Sequence, residues 1–162
     1  MIVIVIMGVV YTLVITKLQT VDTKKAPLNF ENLKPVLAKL AKESGEEVRL
    51  WCFDDCSECM LYSGATQLKE VKSFFDDSVG SYTYDYLRGM TQKKLDVFFD
   101  KDDVQKDVCF SFGVTPQGIS DQILVVFKEK TYDYTNYFSD VDIYNSMQDA
   151  IDAKEQLIEK VK

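Results

Sequence analysis

The first sixteen residues, Met1 to Thr16 (MIVIVIMGVVYTLVIT), carry no charged side chain, and the first charge falls at Lys17. A run of this kind is too long for a buried strand and too evenly apolar for an amphipathic helix, which keeps a polar face. As a helix it would measure about 24 Å at about 1.5 Å per residue, whereas a bilayer core asks for about 20 residues. It stops about one turn short. A cleaved signal peptide would need a basic start and a small-residue cleavage site, but Met1 leads straight into Ile2 and Val3 and no such site follows. A buried core element is the plainer alternative. The expectation is an anchor helix over residues 1–18, a polar linker over 19–28 and a head domain over 29–162.

The rest of the chain is polar and acidic. Lys and Arg number 19 against 26 Asp and Glu, a formal net charge of −7 over 162 residues. That balance argues against a nucleic-acid partner, which needs clustered cations. The chain has no histidine, so Ser-His-Asp and Cys-His catalysis are excluded, as are His metal ligands. No phosphate-cradling glycine loop is present. The expectation is a protein that is not an enzyme and holds no cofactor.

Periodicity places a helix at about Phe30 to Ser44, with Leu33, Val36, Leu37 and Leu40 on one stripe and Gly45 as its stop. Strands follow at Glu47–Phe53, Met60–Tyr62, Ser81–Arg88, Leu95–Phe99, Val108–Val114 and Ile123–Lys128, with Tyr132 to Tyr137 extending the pattern. Between Gly64 and Asp77 the spacing of Leu68, Val71, Phe74 and Phe75 favours a helical turn. A last helix runs from about Asn145 to Val161, with Asn145 and Gln148 as a capping box. Consecutive strands without intervening helices imply one antiparallel sheet of roughly five to seven strands.

Met1 to Val10 (MIVIVIMGVV) resembles the interior of the N-terminal helix of type IV pilins and type II secretion pseudopilins, including its glycine, here Gly8. The family's basic leader and its Phe-Thr-Leu-x-Glu start do not precede it. The resemblance implies an α+β, pilin-like fold: N-terminal membrane-anchor helix, amphipathic helix, antiparallel sheet and C-terminal helix. It further implies a minor pilin-like subunit of a type II secretion, type IV pilus or DNA-uptake machine, acting in filament assembly rather than catalysis. Its partners would be the inner membrane, other pilin-like subunits and the filament assembly platform. Ile2, Val3, Ile4, Ile6, Gly8, Val9 and Leu13 would form the membrane and filament helix, since an apolar helix exchanges lipid for helix contacts with little change in solvation. The chain would be a single-pass inner-membrane protein with a periplasmic C-terminal domain, although Lys17, Lys24 and Lys25 follow the apolar run and favour the opposite orientation. The alternative is a membrane-tethered periplasmic protein of unrelated fold that binds a partner or a metal.

Cys52, Cys56 and Cys59 cluster in WCFDDCSECM, with Cys109 on a later strand. The C-x3-C-x2-C spacing is that of radical iron–sulfur enzymes, whose βα-barrel framework the strand order does not supply. Four thiolates from Cys52, Cys56, Cys59 and Cys109 could close a zinc tetrahedron. In an oxidising compartment an even cysteine count fits disulfides best. Three connectivities are open, and the tight turn favours Cys56–Cys59, leaving Cys52–Cys109. Strand parity objects, because Cys52 points with Val48 and Leu50 while Cys109 points away from Val108 and Phe110. The acidic pairs Asp54-Asp55, Asp76-Asp77 and Asp100/Asp102-Asp103 lack a calcium-loop pattern and read as solvated turns. Trp51 reads as core or edge packing.

Overall fold

The computed structural model describes residues 27–161, apart from 96, 101 and 138. The expected anchor, with Ile2 to Leu13, and nearly all of the linker lie outside the described residues.

Helix α1 (Leu33–Ser44) is preceded by a reciprocal asparagine clasp, in which the Asn29 and Asn32 amides each donate to the other's side-chain oxygen at 2.9 Å. It stops at Gly45, whose φ of 74° only glycine adopts without strain and whose N–H donates to the Ala41 carbonyl at 2.9 Å. Leu33, Leu37 and Ala41 form its buried stripe, while Val36 is exposed. Eleven strands follow among the described residues. They are β1 (Val48–Phe53), β2 (Glu58–Ser63), β3 (Thr66–Lys72), β4 (Gly80–Asp85), β5 (Gly89–Gln92), β6 (Phe98–Phe99), β7 (Gln105–Lys106), β8 (Val108–Val114), β9 (Leu124–Phe127), β10 (Lys130–Asp133) and β11 (Asp142–Tyr144). Helix α2 (Met147–Val161) closes the described chain. Its cap is Ser146, whose hydroxyl accepts from the Asp149 N–H at 3.1 Å, one residue along from the expected Asn145.

The strands form three sheets and not one. Sheet A has the order β3-β2-β1-β8, sheet B the order β11-β10-β9-β4-β5, and β6 with β7 makes a separate ribbon. Every strand pairing is antiparallel. The pilin-like layout, a long N-terminal helix carrying a sheet, is thereby corrected: the described residues are mostly antiparallel sheet with two short helices. The expected helical turn after Gly64 is strand β3, because Thr66 to Lys72 hydrogen-bonds to β2 across a bulge opposite Leu61 and Tyr62. Phe74 and Phe75 then pass into the core, and an Asp76 turn sends the chain over to sheet B.

The inner-membrane, single-pass placement is corrected as well. Among the described residues no helix is long and apolar enough to cross a membrane. Helix α1 has 12 residues and α2 has 15, below the span of about 20 that a bilayer core requires.

Phe30 stands at the centre of the core. Its ring lies 5.9 Å from Phe110 of sheet A, 5.6 Å and 5.0 Å from Phe127 and Tyr132 of sheet B, and 4.9 Å and 5.2 Å from Phe74 and Phe75. The fully buried Tyr134 donates its hydroxyl to the Phe30 carbonyl, and burial holds that phenol well above its ordinary pKa. Lys34, on the first turn of α1, is buried with its ammonium donating to the Asn136 and Ser139 carbonyls at 2.7 and 2.8 Å. One segment, Phe30 to Lys34, thus joins the two sheets and the loop after β10.

Candidate binding groove on the outer face of sheet A

Alternation along β1 sends Val48, Leu50 and Cys52 into the core and Arg49, Trp51 and Phe53 to the opposite face. The antiparallel register sets Tyr62 opposite Arg49, Met60 opposite Trp51 and Glu58 opposite Phe53. A strand with large side chains on both faces needs cover on both. The β6–β7 ribbon provides it on the outer face. Phe98 reaches down to within 5.4 Å of Trp51, 5.0 Å of Phe53 and 5.4 Å of Tyr62, ring centre to ring centre. Lys106, opposite Phe98 in the ribbon, sits 5.1 Å from the Phe53 ring and pairs with Glu58 at 3.4 Å. Phe53 is only 1% exposed as a result.

The ribbon covers only part of this face. Beside it lies a partly open groove of about 720 Å³, walled by Trp51, Met60, Tyr62, Phe98 and Phe99, with Gln67, Asp100 and Lys106 as its polar side chains. Trp51 is steadied from one side by the Arg49 guanidinium, 5.5 Å from its ring centre. Arg49 in turn is clamped by Asp121 at 2.8 Å, Glu47 at 2.7 Å and the Ser111 hydroxyl at 2.9 Å. Burial alone would lower the Arg49 pKa; the Asp121 and Glu47 bonds outweigh it and the net shift is upward. Gly113 makes room for this clamp, since a Cβ there would stand 2.6 Å from Arg49 Nη2. Tyr62 is held above its ordinary pKa by burial. Among the described residues the Trp51 indole N–H has no protein acceptor, and the Tyr62 hydroxyl reaches only Met60 Sδ at 3.9 Å.

The cysteines underpin the groove without lining it. Cys52 bonds to Cys59 and Cys56 to Cys109. This corrects the expected Cys56–Cys59 and Cys52–Cys109 pairing. Cys52 and Cys59 are direct cross-strand partners, Cα to Cα 4.1 Å, on the inward face of the β1–β2 hairpin. Cys56 sits in the hairpin turn with a φ of 64°, from which it reaches Cys109 on β8. The parity objection to Cys52–Cys109 pointed the right way. The four-thiolate zinc reading is also corrected, because all four sulfurs are consumed in these bonds. Among the described residues no group of three or more His, Cys, Asp or Glu is placed to hold a metal ion.

The acidic pairs form turns. Asp55 accepts from the Ser57 N–H at 3.1 Å, Asp76 from the Ser78 N–H at 3.0 Å, and Asp100 from the Asp102 and Val104 N–H groups at 2.9 and 3.0 Å. Sequence reasoning missed the groove as a site. Its signal was present in VRLWCF, where bulky residues alternate on both faces of one strand, but the lid, Phe98 and Lys106, is 45 and more residues away in sequence. No family model, no curated protein and no solved structure matches this chain, so the geometry carries the functional reading.

Proposed function

We propose that this protein is a non-catalytic recognition domain that engages a partner through the aromatic groove on sheet A. The observation that carries the reading is the fixed apolar wall of Trp51, Met60, Tyr62 and Phe98 standing beside solvent on a doubly cross-linked sheet. Binding sites are concave, largely apolar and punctuated by a few oriented polar groups, and this groove has that make-up. Its charged neighbours serve position: Lys106 is engaged by Glu58, and Arg49 by Asp121 and Glu47. Two disulfides suit folding in an oxidising compartment.

The filament-subunit role implied by Met1 to Val10 draws on a segment outside the described residues and takes no support from the described fold.

Fragment mapping by protein NMR tests the recognition reading. Small aromatic and pyrrolidine amides should shift the Trp51 indole and Met60 methyl resonances saturably, and Trp51→Ala should abolish those shifts. Fragments that bind elsewhere, or nowhere, would overturn it.

A further inference from the structure

We infer that the occupant of this groove is a proline-rich segment in the left-handed polyproline conformation, carrying a basic residue. The inference rests on the recognition reading above and names the ligand class. A polyproline helix makes no hydrogen bonds within itself, so its carbonyls stay open to donors. Two residues that line the groove carry such donors, Trp51 with its Nε1–H and Tyr62 with its O–H, and among the described residues neither has a strong protein partner. Between them the walls are apolar and ring-built, with Met60 opposite Trp51 in register and Phe98 tilted at 51° to the Trp51 plane. Compact, rigid pyrrolidine rings fit slots of this kind, and aromatic-lined grooves are the usual hosts of such segments.

A saccharide fits less well. Sugars present many hydroxyls that each need a polar partner, and they stack on a bare ring face. Here the Trp51 ring already has Arg49 and Phe98 beside it, and among the described residues the groove's polar side chains, besides Trp51 and Tyr62, are Gln67, Asp100 and Lys106. Charge points the same way. Glu58 pairs with Lys106 at the groove, so that ammonium is already engaged, within a chain of net charge −7. An acidic ligand is disfavoured and a basic flank is favoured. A preformed polyproline helix also loses little conformational freedom on binding, which suits a partly open site.

Trp51 is the single tryptophan of the chain, so its fluorescence reports on the groove directly. The oxidised full chain is titrated with four probes: an arginine followed by about nine prolines; the same peptide with glutamate for arginine; a glycine–serine peptide of equal length with the same arginine; and a neutral β-1,4-glucose hexasaccharide. The expected result is a saturable change with the Arg–proline peptide, binding at least about threefold weaker with the glutamate version, and no change with the other two. Tyr62→Phe, which keeps the ring and removes one donor, should weaken peptide binding roughly 2- to 10-fold, and Phe98→Ala should abolish it. A silent proline titration, an equal response to the glycine–serine peptide, or a response to the hexasaccharide alone would each overturn the assignment. If fragments map to the groove while the proline peptides stay silent, the polyproline assignment falls and the recognition reading survives. If both fail, both fall.

Discussion

At the scale of single residues, the fold is held by a few polar groups placed where sheet meets helix. Asp133, at the end of β10, is nearly fully buried and takes a 2.7 Å ion pair from Lys154 of α2, with the Thr135 N–H and hydroxyl donating to its other oxygen at 2.8 and 2.6 Å. Removing one member of a buried pair strands the other. Lys154→Ala should therefore cost about 3 kcal/mol in urea unfolding, whereas the double variant Asp133→Asn/Lys154→Met, which leaves no buried charge, should recover most of that loss. A different residue reports on acid. Asp76 is held below its ordinary carboxylate pKa first by the Ser78 hydroxyl and then by the Ser78 N–H. A depressed folded pKa means that this carboxylate stabilises the turn above its unfolded pKa and that the contribution fades as pH falls through the folded value. Carboxyl NMR titration should place Asp76 below free aspartate, and Ser78→Ala should move it upward; an unmoved midpoint would mean that the hydroxyl is not the cause.

At the scale of elements, the two disulfides do different work. Cys52–Cys59 staples strands that already pair, across a separation of 7 residues, while Cys56–Cys109 closes one of 53. Loop-closure entropy in the unfolded chain gives about 2.5 kcal/mol for the short bridge and about 4 kcal/mol for the long one. Replacing Cys56 and Cys109 by serine should lower the denaturant midpoint more than replacing Cys52 and Cys59, and equal losses would contradict this account. Much at this scale was legible in the sequence. Helix α1, helix α2 and strands β1, β4, β8 and β9 follow from periodicity and breakers that act over a few neighbours. Strand β3 was not legible, because LKEVKSFF places apolar residues at helical spacing and only pairing with β2 makes it extended. The disulfide pairing turned on register: a hairpin closing from Phe53 to Glu58 must set Cys52 against Cys59, and a turn of two aspartates gave no hint that Cys56 would point towards β8. The groove escaped for a related reason, since its walls come from β1 and β2 and its lid from a ribbon joined to them only through space.

At the scale of the whole molecule, one side chain connects what the topology separates. Among the described residues sheets A and B share no strand pairing; Phe30 touches rings from both. Phe30→Ala should cost about 3–5 kcal/mol, and the loss should appear in amides of both sheets at once by hydrogen exchange. Protection lost from one sheet alone would show that the two halves are cohesive without it.

The long disulfide has a mechanical consequence. Bonded at Cys56 and Cys109, the chain between them is a closed ring that holds β2 through β7, including Met60, Tyr62, Phe98 and Lys106. Tension applied at the two ends of the polypeptide passes through the sulfur bridge and bypasses that ring. With the bridged cysteines 53 positions apart, about 190 Å of contour at roughly 3.5 Å per residue stays coiled. Under load, the oxidised protein can pay out its flanks while the stretch that carries half of the groove and its lid is never pulled straight.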